Sequence, residues 1–148
     1  MKATSAINAY AKVGIESGVT SADPHKLISM LFEGALLAIA NAKNGMVRKD
    51  IPAKGAAISK AIAIIGEGLH ASLDKEVGGE LAQGLSSLYD YMVFRLIEAN
   101  LKNDLEILDE VSRHLADLKS AWDSIRNVVQ TEIKPQVKDS PQAAYGRV

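Results

Sequence analysis

The sequence predicts an all-α protein, an antiparallel four-helix up-down bundle preceded by an N-terminal arm. Three observations point there. Four stretches of about twenty residues carry apolar side chains at steps of three and four, the spacing of one helix face. The connections between them are a few residues long, which makes antiparallel neighbours the economical arrangement. No stretch shows the strict alternation of a half-buried strand. At 148 residues the chain fits one domain.

Residues 1–22 read as an arm. Ile7, Tyr10, Val13 and Ile15 are scattered among small and polar residues, and Gly14 and Gly18 interrupt any helix. Such a segment either frays or docks on the body through Ile7 and Tyr10, a tyrosine being suited to bury its ring with the hydroxyl in water. The first helix begins at Asp23-Pro24, with Asp23 as cap and Pro24 preset for the first helical position, and runs to about Arg48. Leu27, Leu31, Ala35 and Ala38 mark one side of it. Phe32, Leu36 and Ile39 carry the apolar surface much further round, leaving a narrow polar strip with Lys26, Ser29 and Glu33. After the turn Lys49-Asp50-Ile51-Pro52, a second helix to about Ser72 carries Ile58, Ile62, Ile65, Leu69 and Leu73. Its Ala56, Ala57, Gly66 and Gly68 allow close approach of a neighbour.

Asp74 to Gly79 reads as the next connection, broken by Gly78-Gly79, and the third helix covers 78–104. Leu81, Leu85, Leu88, Met92, Leu96 and Ala99 form one face. Phe94, Ile97 and Leu101 form a second row, roughly opposite the first at 100° per residue. A helix apolar on two sides is either sandwiched or keeps one side for something else. In the fourth helix Asp104 can cap, and Leu108, Val111, Leu115, Leu118, Trp122, Ile125 and Val129 make a single stripe. The bundle is thus expected over 23–131. Residues 132–148, with Pro135, Pro141 and few apolar side chains, are expected to be a disordered tail.

Composition narrows the function classes. Hydrophobic residues make up 47% and charged residues 24%, with 17 basic and 18 acidic residues and a net charge of −1. The basic footprint of a nucleic-acid binder is missing. The absence of cysteine removes disulfides and thiolate chemistry and fits the cytosol. The N-terminus lacks the apolar core of a signal peptide, and no apolar run reaches membrane-spanning length. Among the three histidines, His70 lies in a Glu67-x-x-His70 spacing, but a di-iron bundle needs a second such motif and two further glutamates. The expectation is no metal, no cofactor and no enzyme, since no nucleophile-and-base arrangement is visible either. A histidine phosphotransfer bundle built on His70 is a weaker rival, its basic neighbours Lys60 and Lys75 being distant in sequence. A bundle that self-associates through the Phe94 row is another.

Tyr89, Asp90, Tyr91 and Arg95 form a polar-aromatic group beside that row, with Tyr91 and Arg95 spaced to stack and both of residue types that concentrate in binding hot spots. The candidate partner-binding residues are therefore Ile7, Tyr10, Leu31, Phe32, Ile39, Tyr91, Phe94, Arg95, Ile97, Asn100 and Leu101.

The stretches INAY (7–10), PHKLISMLFEGAL (24–36), ISKAIAIIGEGL (58–69), SLDKEVGGELAQGLSSLYDYM (72–92) and RLIEANLKND (95–104), with the helix ending at Ala121-Trp122, resemble the flagellar secretion chaperone family FliS. The resemblance spans 7–122 in order. It implies a cytosolic export chaperone whose client is flagellin. The client's disordered C-terminal segment wraps around the bundle, is kept from polymerising early and is delivered to the flagellar type III export gate. It implies no nucleotide and no metal, and leaves a homodimer open. Surplus apolar surface on the first and third helices is what a groove for a client helix needs. The arm, through Ile7 and Tyr10, is expected to cover part of that surface in the free protein or to meet the export gate once released.

Overall fold

The computed structural model describes residues 23–137. Four helices follow one another: α1, Pro24–Val47; α2, Ile51–Ala63, continuing directly into a π-helical stretch, Ile64–His70; α3, Lys75–Lys102; and α4, Leu105–Val137. No strand occurs among the described residues. The arm with Ile7 and Tyr10 and residues 138–148 lie outside them. The backbone of α4 is helical through Val137, so the change of composition after Thr131 does not mark its end.

Each helix starts on an aspartate. The Asp23 carboxylate accepts from Lys26 N–H at 2.7 Å ahead of Pro24, and Asp50 accepts from Ala53 N–H at 3.1 Å. Asp74 accepts from Val77 N–H at 3.1 Å, and Asp104 from Glu106 N–H at 3.0 Å. These carboxylates satisfy amide donors that the first helical turn leaves unpaired and sit at the positive end of the helix dipole. The Asp74 cap begins α3 three residues before the expected start. The break expected at Gly78-Gly79 is present inside it: Gly79 has φ 57° and ψ −131°, which a residue with a Cβ adopts only at a cost. Asn103, at φ 52°, ends α3 in the left-handed conformation common after helices.

Contacts between helices fix their directions. A Cβ on Gly45 of α1 would lie 2.9 Å from the backbone nitrogen of Lys54 in α2, while Gly68 in the π-helical stretch meets Leu31. Lys54 Nζ donates to Asn100 O at 3.0 Å near the end of α3. Glu110 of α4 accepts from Arg95 of α3, and Lys43 of α1 pairs with Asp109 of α4. Within the first unit, α1, α2, α3 and the part of α4 up to Ala116 therefore run up, down, up and down, as expected.

Among the described residues α1 contributes the most buried apolar side chains. Leu27, Ile28, Leu31, Phe32, Ala35, Ala38, Ile39 and Ala42 are all buried, an arc of about 140° on the helical wheel. The π-helical stretch changes the phase of α2, so that Ile64 and Ile65 are buried together, as are Gly68 and Leu69, while Ile62 is only half-buried. On α3 the buried set is Ala82, Ser86, Tyr89, Met92, Leu96 and Ala99. Its upper half matches the predicted face, but its lower half is shifted by one residue: Leu81 is exposed, and Leu85 and Leu88 are half-buried. In that lower half Ser86 faces inward and hydrogen-bonds His70 at 2.8 Å. In α4, Ile107, Leu108, Val111 and Leu115 are buried.

The chain divides into two compact units, one through Ala116 and one from Asp117 onward. In the second, Lys119 and Asp123 form an ion pair at 2.8 Å, Trp122 is half-buried and Ile125 is exposed.

Candidate partner-binding site

Phe94, Ile97 and Leu101 stand exposed on α3, at 63%, 46% and 78% of their full surface. They fall within about 60° of one another on the wheel, and Asp90, one turn earlier, falls in the same sector. Three large apolar side chains in one row on a single helix are costly to leave in water, which makes this face a candidate for a partner.

One flank of this row is a closed polar network between α3 and α4. Arg95 donates through Nε and Nη2 to Glu110, at 3.0 and 2.8 Å, and through Nη1 to Glu98 at 2.7 Å. Lys102 adds a bond to Glu98 at 2.8 Å. The Tyr91 hydroxyl donates to Glu110, and His114 Nε2 lies 3.3 Å from the same carboxylate. The Tyr91 hydroxyl and the Arg95 guanidinium hold the Glu110 carboxyl down at about 2, against the penalty of its partial desolvation. Lys102 and Arg95 likewise lower Glu98. Tyr91 and Arg95 thus converge on one carboxylate; the aromatic neighbour of Tyr91 is His114, edge-on with centroids 6.3 Å apart.

The remaining candidate residues divide. Leu31, Phe32 and Ile39 are buried, so they belong to the interior and add nothing to the open surface. A helical wheel shows the direction of an apolar side chain but not how wide an arc its neighbours close, and on α1 they close most of it. Leu31 in particular lies against Gly68. Tyr89, expected in the polar group, is a core residue, and burial pushes its hydroxyl up to about 12. Asn100 is half-buried, with its carbonyl held by Lys54.

Leu37 and Val47 are the exposed large apolar residues of α1, and Leu37 is the one in its middle. It borders a shallow groove of about 480 Å³ between α1 and α2, floored by Gly34, Ala38, Ala53, Ala56 and Ala57, with Asn41 and Lys60 at its edges.

A family model described as flagellar protein FliS matches residues 6–129. The chain belongs to the FliS family. It is 51% identical over 125 residues to the flagellar secretion chaperone FliS of Salmonella typhimurium, covering 84% of this chain and 93% of that protein. It is also 51% identical over 125 residues to the flagellar secretion chaperone FliSB of Pseudomonas aeruginosa, covering 84% and 98%. To the flagellar secretion chaperone FliS of Bacillus subtilis it is 34% identical over 119 residues, 80% of this chain and 85% of that protein. FliS proteins are chaperones and not enzymes, and this member is a flagellar export chaperone.

Two residues of this FliS chain organise the surroundings of the row without having been anticipated. Glu110 gathers the polar network. Lys54, 4% exposed, passes under α3 to hold Asn100 O and the Asn103 side chain. Its ammonium thereby supplies donors to a helix C-terminus, where the dipole favours a cation. A signal was present for Lys54, which occupies an apolar position in the series Lys54, Ile58, Ala61, Ile65. His70 directs Nε2 at Ser86 Oγ, 2.8 Å away, and at Asp90, 3.4 Å away. Among the described residues no helix is long and apolar enough to cross a membrane.

Proposed function

We propose that this chain is a cytosolic type III export chaperone that binds the disordered C-terminal segment of flagellin. It keeps that segment from polymerising early and hands it to the flagellar export gate. The observation that carries the reading is the exposed row Phe94, Ile97 and Leu101 on α3 of a flagellar chaperone fold. An amphipathic helix presents apolar residues at the same steps of three and four, so it can interdigitate with such a row along its length. A client disordered beforehand loses conformational entropy on docking, which makes a specific complex releasable at the gate.

Calorimetric titration with the C-terminal segment of flagellin from the same cell tests this. One-to-one binding with a negative heat-capacity change is expected, since apolar surface leaves water. No binding by the folded protein would refute the reading. The role proposed for the arm is to cover part of the row through Ile7 and Tyr10 until the client displaces it. Deleting residues 1–18 then raises hydrophobic-dye binding and promotes self-association; no change in either would count against the cover. The same experiment on the intact chain, read as mass against concentration, reports whether the row serves a second copy.

A further inference from the structure

The row on α3 has ends of different chemistry. At its upper end Leu101 is followed by Lys102 and Asn103, where α3 terminates. At its lower end stands Asp90, one turn before Phe94 on the same side of the helix.

Asp90 differs from the other carboxylates beside the row. Glu98 is taken by Arg95 at 2.7 Å and by Lys102 at 2.8 Å, and Glu110 by Arg95, Tyr91 and His114. The Asp90 side chain is 75% exposed and meets His70 Nε2 at 3.4 Å, farther than the 2.8 Å from that nitrogen to Ser86. Among the described residues it has no lysine or arginine partner. An open carboxylate thus closes off an apolar row whose other acidic neighbours are neutralised within the protein.

We infer that Asp90 sets the orientation and specificity of docking on this face, by pairing with a lysine or arginine in the last turn of a client helix that lies antiparallel to α3. This rests on the reading that the Phe94 row receives the client. The direction is set at the Asp90 end, since the C-terminus of α3 at the other end is already met by the Lys54 ammonium. The docked helix then places its own C-terminus over Asp90, and a cation in its last turn is favoured both by its own dipole and by the carboxylate. From Asp90 to Leu101 is about 16 Å at 1.5 Å per residue, so the occupant needs about three turns. Its chemistry is specified: apolar residues spaced to meet Leu101, Ile97 and Phe94 in that order, then a basic residue about one turn beyond the last.

The test uses the full-length protein and a synthetic C-terminal segment of flagellin, titrated at low and high salt, with the variants D90N, D90K, H70Q and F94A. D90N is expected to weaken binding about 3- to 5-fold at low salt, the scale of a partly exposed ion pair, and to flatten the salt dependence. D90K weakens it further, and a segment whose basic residue is replaced by glutamate regains affinity for D90K. H70Q, which removes the imidazole and keeps the carboxylate, binds like the parent. Parental affinity and salt slope in D90N would overturn the assignment. So would equal losses in H70Q and D90N, which would make the His70 contact structural. If F94A binds like the parent, the docking-face reading itself falls; if F94A weakens binding and D90N does not, only the role of Asp90 falls.

Discussion

Replacing Phe94 by alanine separates a binding residue from a structural one. The ring is 63% exposed. With about 200 Å² as the surface of a phenylalanine side chain, about 130 Å² of it is in water and available to a partner. At about 25 cal/mol per Å², full coverage contributes about 3 kcal/mol, and coverage of half that area about 1.5 kcal/mol. The client affinity of Phe94→Ala is therefore expected to fall by about 10- to 150-fold, measured by calorimetric titration of parent and variant side by side. The same substitution touches little of the interior, so its unfolding free energy in urea should stay within about 0.5 kcal/mol of the parent. A loss of stability above about 1 kcal/mol would show that the ring is a core residue. A loss of affinity below about 2-fold in a stable variant would show that the client does not cover it.

Three further outcomes follow from the fold. Gly45→Ala puts a methyl 2.9 Å from the Lys54 backbone nitrogen, and the expected destabilisation of about 1–2 kcal/mol runs against helix propensity, which alone favours alanine by about 1 kcal/mol. Gly55→Ala meets nothing within 4 Å, so urea unfolding should show it stabilised by about 0.5–1 kcal/mol; two variants of the same sign would refute the close approach at Gly45. Lys54→Ala leaves the Asn100 carbonyl and the Asn103 side chain without their donor, for an expected loss of about 1–3 kcal/mol in the same assay. Glu110, held down at about 2 by the Tyr91 hydroxyl and Arg95, contributes stability that is complete above its unfolded value and is lost as pH falls from about 4.5 through 2. Melting temperature should drop across that window in the parent, and the drop should be smaller in Glu110→Gln; equal profiles would refute the contribution.

What the sequence disclosed was local. Asp23 and Asp104 are legible as caps because a cap needs only a carboxylate just ahead of an apolar periodicity, and both accept the amide bonds expected of them. The exposed row was legible because Phe94, Ile97 and Leu101 share a period that the buried face of α3 does not use. The rest depends on residues far apart in the chain. Leu31, Phe32 and Ile39 look like surplus surface until the width of the buried arc on α1 is known. Tyr89 reads as polar by its hydroxyl, yet it stands three residues from both Ser86 and Met92 on the buried face. Lys54 and Glu110 act through partners 46 and 15 residues away, and no window of sequence holds both ends of such a contact.

The π-helical stretch from Ile64 to His70 bears on how this chain tolerates changes of length. A π-turn takes about one residue more than an α-turn, so seven residues in that form advance the helix by about the angle that six would in an α-helix. The stretch stores one surplus residue between two ends whose facings are already fixed, by Ile58 and Ala61 before it and by its last residue, His70, against Ser86. Removing Gly66, whose Cβ position is empty space, should let the segment relax to an ordinary α-helix with both ends still facing as they do. A deletion of the same size in the middle of α1 would rotate half of that helix by about 100° and turn its leucines out of the interior. The span from Ile51 to His70 is therefore adjustable in length by a single residue, and α1 is not.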